Sequence, residues 1–306
     1  MELSKVLIYN DIAWNKLVNI TDKRGIAMKL CIRAHDLGVK GTEKFLHKLD
    51  ELGLDGVQMV CYKAYDDVPY LPGAITGEKA DQIGAAFRDA GAMIPLVGAY
   101  FNPVHSDREK VIRCKQIFAD YLRMAKRMGC DTVGSETGSF HDDKWIYHPR
   151  NRTEEALQTV VATFSELCDV AKDHGTTVAM EGAAGHVCWN VQTLARARRM
   201  MGRDTKVIFD LYNYLDESNQ GDYLDILDRG LDTFAGEILL FHMKDCLFVN
   251  GDKPRQVPLG TGDMDMAAIL RRIKAYDRNA VLTLEGTTGE HIAHAVDTIK
   301  TIWESV

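Results

Sequence analysis

The sequence has no surplus of positive charge, no cysteine framework and no long apolar run, and each absence removes a class of protein. Across 306 residues, 37 Lys and Arg stand against 44 Asp and Glu, a formal net charge of −7, and the basic residues are scattered. A surface that neutralises duplex phosphates needs a basic stripe, so no nucleic-acid partner is expected. The seven cysteines form no CxxC pair and no regular spacing. Several sit inside apolar patterns, which predicts reduced thiols and a cytoplasmic location. No stretch approaches the roughly 20 apolar residues of a membrane helix, and no basic-then-apolar leader opens the chain, so no membrane partner is expected. A P-loop, an HExxH helix and a G-x-S-x-G elbow are also missing. The Gly260–Gly262 pair lies in a polar loop rather than a strand-to-helix turn, Cys246 has no neighbour that would activate a thiolate, and Arg196, Arg198 and Arg199 read as a solvated helix face.

What the chain does have is a 46% apolar fraction arranged in a strong rhythm. Four stretches in its second half, 177–181, 207–210, 238–242 and 281–285, each run apolar or β-branched and then end on Glu181, Asp210, His242 and Glu285. A continuous apolar run is the pattern of a strand covered on both faces, as in a parallel sheet packed by helices. Upstream, strands are expected at 28–32, 56–61, 92–97 and 132–135. Amphipathic helices follow at 42–52, 78–89 and 106–128, the last opened by a capping-box spacing from Ser106 to Glu109. Further helices are expected at 153–172, 191–201, 222–234, 266–276 and 290–303, with an ordered loop at 62–77 and a long polar loop at 244–262. Eight strand-then-helix units predict an α/β fold, a single-domain (β/α)8 TIM barrel over residues 28–306. Residues 1–27 fall outside the rhythm. They read as a short N-terminal extension, with a possible strand at 6–9, that covers the barrel floor or joins an oligomer interface.

In such a barrel the carboxyl ends of the strands form the active-site face. The four terminal residues are spaced by 29, 32 and 43 positions, one per unit on the last four units, so their ends converge on one side of the mouth. Two Glu, one Asp and one His form a mixed oxygen and nitrogen set suited to a divalent metal such as Mn, Mg, Co or Zn. Around them, His186 could hydrogen-bond a substrate hydroxyl or a ligand. Lys244, two residues past His242, alternates to the same side and could neutralise negative charge developing at the mouth. Glu136 ends the fourth strand as a substrate or acid/base candidate. His35, His141 and His148 read as ordinary loop histidines, and Trp145 and Tyr62 as loop aromatics able to stack on a ring of a ligand.

The signatures Met180-Glu181, Phe209-Asp210, Phe241-His242-Met243-Lys244-Asp245 and Leu284-Glu285-Gly286 resemble the xylose-isomerase-like barrel superfamily. That group includes sugar phosphate isomerases and epimerases, ketose 3-epimerases and inosose dehydratase. The resemblance covers residues 28–305. It implies that Glu181, Asp210, His242 and Glu285 bind one divalent metal, most often Mn2+, and that Glu181 and Glu285 are the acid/base pair. It also implies a small sugar or polyol substrate and a homodimer or homotetramer. Two positions depart from the epimerase pattern. Asn213 stands where a substrate-binding His follows the Asp by three residues, and Phe248 stands where an Arg follows the His by six. The nearest candidate for that Arg is Arg255, further along an enlarged loop.

The chemistry follows from the site. Removing the proton α to a carbonyl gives an enediolate. Returning the proton to the other face epimerises, returning it to the neighbouring carbon isomerises, and losing a β-hydroxyl dehydrates. The leading expectation is a metal-dependent sugar isomerase or epimerase. The alternative is a lyase on the same site, inosose-dehydratase-like or cleaving sugar conjugates, with Lys244, His186 or His141 as proton donor. A nuclease would need a richer ligand set, and a non-catalytic scaffold would not need the four ligands at all.

Overall fold

A computed structural model of the chain describes residues 28–306, so the expectations for residues 1–27 lie outside the described residues. The expected alternation is present throughout. The barrel strands are β1 (Lys29–Arg33), β2 (Gly56–Gln58), β3 (Val97–Gly98), β4 (Thr132–Glu136), β5 (Thr177–Glu181), β6 (Thr205–Asp210), β7 (Ile238–Met243) and β8 (Val281–Leu284). The helices between and after them are α1 (Thr42–Leu52), α2 (Gly77–Asp89), α3 (Arg108–Met124), α4 (Glu154–His174), α5 (Val191–Met201), α6 (Tyr223–Thr233), α7 (Met266–Tyr276) and α8 (His291–Ser305). The strands pair in parallel in the order β2-β1-β8-β7-β6-β5-β4-β3. Single bridges from Gly56 to Met93 and from Met59 to Val97 bring the two edges together, so the barrel is nearly closed.

Two cores fill this frame. The larger lies between the outer faces of the strands and the apolar faces of the helices. The smaller is Leu96, Ala179, Ile208 and Leu240, fully buried inside the ring. Strand side chains alternate with period two, so Glu181 shares the inward face with Ala179, Asp210 with Ile208, and His242 with Leu240. The interior apolar layer therefore sits directly beneath the polar residues of the mouth.

Four local expectations differ from the structure. The second strand stops at Gln58 and the chain makes one helical turn at Cys61–Ala64. The third strand contracts to Val97–Gly98 because Pro95 has no N–H to give to a ladder. The polar loop at 244–262 contains an antiparallel hairpin pairing Asp245–Leu247 with Arg255–Val257. Helix α3 is capped by Asp107, whose Oδ1 accepts the Lys110 N–H at 2.9 Å, and not by Ser106. Ser106 instead donates its N–H and its hydroxyl to the Asp142 carboxylate, both at 2.8 Å.

Candidate metal centre at the barrel mouth

Strand alternation and register bring the four expected ligands together. Asp210 on β6 lies opposite His242 on β7, and Glu136 on β4 lies opposite Glu181 on β5. One ligand atom from each of Glu181, Asp210, His242 and Glu285 falls within 4.8 Å of all the others. His242 Nδ1 stands 2.7 Å from Glu285 Oε2, 3.3 Å from Glu181 Oε1 and 3.6 Å from Asp210 Oδ2.

The other ring nitrogen explains this orientation. Gln58 donates its amide N–H to Tyr100 Oη at 2.6 Å, leaving Oε1 to accept from His242 Nε2 at 2.7 Å. Nε2 therefore carries the proton, and Nδ1 faces three carboxylates. A bare lone pair there would be repelled, so the position calls for positive charge, either a proton on Nδ1 or a cation among the four groups. Burial pushes His242 down, but Glu285 and Glu181 outweigh it and hold the imidazole well above its ordinary range. Asp210 Oδ2 is buried and makes no aligned hydrogen bond, although Lys244 Nζ lies 2.7 Å away. An orphaned carboxylate oxygen, two further carboxylates and an imidazole with its distal N–H anchored fit a divalent ion.

Two cations from different segments, Lys244 and Arg33, hold the carboxylates in place. Lys244 Nζ reaches Glu285 Oε1 at 2.9 Å and donates to Asn213 Oδ1 at 3.1 Å. Arg33, at the end of β1, donates Nη1 to the same Glu285 oxygen at 2.9 Å and grips Asp36 through Nε and Nη2 at 2.8 and 3.1 Å. Burial alone would raise Glu285, but Lys244, His242 and Arg33 hold it well below the usual carboxylate range. Burial dominates at Glu181 and raises it. Glu136 is raised by burial and by the nearby charges of Glu181 and Glu285.

The remaining expected residues separate into groups. Asn213 joins the cluster, donating Nδ2 to Glu181 Oε1 at 2.8 Å and its backbone N–H to Asp210 Oδ1 at 3.0 Å. Lys244 and Glu136 also face it. His186 is 2% exposed and packs against Trp145, with ring centroids 5.0 Å apart. Burial pushes its pKa down to about 3, and its Nδ1 has no hydrogen-bond partner. Arg255 lies exposed on the hairpin, and its neighbour Gln256 is the residue that reaches Glu285, donating Nε2 to the backbone carbonyl at 3.1 Å. Phe248 packs on Tyr223 with centroids 5.6 Å apart. The rings of His141 and His148 meet at 5.1 Å in the loop after β4, and Tyr62 stacks on Tyr70 at 4.6 Å. Cys246 is inert, its thiol pushed up to about 12 by burial and then by Asp245. The glycine pair of the polar loop is structural, since the N–H groups of Gly260 and Gly262 donate to Asp245 Oδ2 at 3.0 and 2.8 Å. All seven cysteines are unpaired and buried. No helix among the described residues is long and apolar enough to cross a membrane.

Fold and site together define a (β/α)8 barrel with a candidate divalent-metal centre at the carboxyl ends of its strands. The family model of the xylose isomerase-like TIM barrel matches residues 46–302, and the chain belongs to that family. No curated protein matches the sequence. Similar solved structures include a xylose isomerase domain protein from Planctomyces limnophilus, 18% identical with a TM-score of 0.70, covering 92% of this chain and 97% of that one. An L-ribulose 3-epimerase is 14% identical with a TM-score of 0.69, covering 91% and 95%. The IolI protein, solved with a bound zinc atom, is 16% identical with a TM-score of 0.65, covering 90% and 96%. At these identities the likeness is one of fold.

Proposed function

We propose that the protein is a divalent-metal-dependent isomerase or epimerase of a sugar or related polyol, working through an enediolate with Glu181 and Glu285 as its acid/base pair. The observation that carries this reading is the four-group cluster at the mouth, with His242 Nδ1 turned into three carboxylates and Nε2 tied to Gln58. Glu181, Asp210, His242 and Glu285 would hold the metal. Its chemistry there would be to draw electron density from a carbonyl and its neighbouring hydroxyl, acidifying the C–H between them. Mn2+ is the ion we expect, with Mg2+, Co2+ and Zn2+ suited to the same donor set.

The chain supplies the proton movements. Glu181 ends β5 and Glu285 follows β8, so the two carboxylates flank the β6 and β7 ligands, and in this reading a substrate carbon held between them would present one face to each. Asn213 fixes the Glu181 carboxylate, while Lys244 and Arg33 fix that of Glu285. Lys244 also brings positive charge beside the position where enediolate charge develops. The lyase reading needs a donor for the departing oxygen, and the two buried candidates serve it poorly. Lys244 is held by Asp210 and Glu285, and His186, with a pKa near 3, carries no proton to give at neutral pH.

The test is solvent exchange in deuterated water, followed by NMR, on a panel of ketoses, aldoses and inososes with Mn2+ present. Deuterium should enter one carbon, and the exchange should be lost with a chelator and in Glu285→Gln. A protein that binds metal yet exchanges no carbon of any panel member would sink the reading.

A further inference from the structure

Beside the cluster lies a chamber of about 480 Å3, walled by the loops that follow β4, β5, β6 and β7. That volume falls within the roughly 300–1,000 Å3 typical of small-molecule pockets. None of the four candidate metal ligands lines it, so it is a neighbouring compartment and not the reaction centre itself. It nevertheless abuts that centre. Ala184, in its lining, donates its N–H at 2.7 Å to the carbonyl of Asn213, the residue that holds Glu181. The ring of Tyr212 lies 5.5 Å from the ammonium of Lys253, on the chamber's rim, and 5.5 Å from that of Lys244, in the cluster.

One wall is Trp145, Ile146 and Tyr147, which are 39%, 51% and 47% exposed. Three consecutive large apolar side chains left open beside a reaction centre mark a surface that something covers. The wall is firmly built. Ser139 Oγ donates to the Ile146 carbonyl at 2.6 Å, and the buried Asn151 donates Nδ2 to the Gly185 carbonyl at 2.8 Å. A Cβ on Gly185 would lie 3.1 Å from the backbone of Ile146, a tight contact that glycine avoids where the two loops meet. The lining also includes Asp216, Glu217 and Ser218, from the loop after β6. Acidic groups outnumber basic ones around the chamber, Asp216, Glu217 and Asp252 against Arg152 and Lys253, which disfavours a phosphate or nucleotide tail.

We propose that the substrate is a neutral sugar conjugate. Its reacting sugar sits over the four-ligand cluster, and a second ring, joined through a glycosidic bond, fills the chamber with one flat face on Trp145 and Tyr147. Aromatic side chains present apolar faces suited to such stacking, and the carboxylates of Asp216, Glu217 and Asp252 in the lining accept hydrogen bonds from ring hydroxyls. This inference rests on reading the cluster as a sugar-processing centre, and it fits the departures at Asn213 and Phe248 from the contacts expected for a free ketose.

The experiment compares binding of matched methyl and phenyl β-D-glycosides of glucose, galactose and xylose by titration calorimetry. At least one phenyl glycoside should bind tenfold or more tightly than its methyl partner. That ratio should fall below threefold in Trp145→Ala and in Tyr147→Ala, both exposed positions whose truncation leaves the core intact. Equal affinities within every pair, no binding by any probe, or a ratio that survives both substitutions would each overturn the proposal. Binding is read without turnover, so failure of deuterium exchange would count against the enediolate chemistry and not against this result.

Discussion

Gln58 decides which nitrogen of His242 carries the proton. Its amide is oriented by Tyr100, so its oxygen can only accept, and the imidazole must offer Nδ1 to the carboxylates. Outer partners of this kind typically contribute about 10–100-fold in metal affinity. Gln58→Leu keeps the bulk and removes the acceptor, leaving a buried N–H unpaired or the ring turned. Calorimetric titration with Mn2+ should show affinity falling by about that factor, and an unchanged affinity would mean that the tautomer is set elsewhere. This residue was invisible in the sequence. A neutral Gln in a short strand carries no charge signal, and its importance arises only where the ring closes and β2 meets the far side of β7. Arg33 was missed for a related reason, lying one residue beyond the expected end of the first strand. The four candidate ligands were legible as a group because each is an ionisable residue terminating an apolar run, a pattern with few structural explanations.

At the scale of elements, the second half of the chain read more truly than the first. Its strands are uninterrupted apolar runs, whereas β3 is broken by Pro95 and β2 gives way to a helical turn. The hairpin at Asp245–Leu247 and Arg255–Val257 was read as loop because its strands are only three residues each and sit in a polar stretch, while Asp245 gathers the N–H groups of Gly260 and Gly262 from beyond it. Glycines inside helices carried information that patterning alone could not use. Gly84 lies within α2, where Ala would ordinarily gain about 1 kcal/mol of helix propensity. Here a Cβ would stand 2.0 Å from the Arg127 carbonyl oxygen, in the turn that ends the α3 segment. Backbone cannot yield as a flexible side chain can, and overpacking of this kind costs about 1–3 kcal/mol beyond any gain. Gly84→Ala should therefore lower the urea midpoint of unfolding with an unchanged m value. A higher midpoint would show that α2 can shift away from its neighbour.

For the whole molecule, the mouth cluster ties together strands that are distant in sequence. Arg33 comes from β1, Gln58 from β2, Glu181 from β5, Asp210 from β6, His242 from β7, and Glu285 follows β8. Around one point sit the carboxylates of Asp36, Glu136, Glu181, Asp210 and Glu285, against the cations Arg33 and Lys244 and the imidazole of His242. The fold gathers these donor groups at one point and the unfolded chain cannot, so a divalent ion should bind the native state far better than the unfolded one. Such binding stabilises by about 2.7 kcal/mol when the free ion is at 100 times its Kd. The melting temperature should therefore rise with Mn2+ and return to its starting value with a chelator. Asp210→Asn keeps the side chain's size but removes a ligand charge and its ion pair with Lys244, so it should lower the metal-free melting temperature and abolish the rise with Mn2+. A melting temperature indifferent to every divalent ion, or a rise that survives Asp210→Asn, would show that the cluster is an internal ion-pair network closing the barrel and not a metal centre.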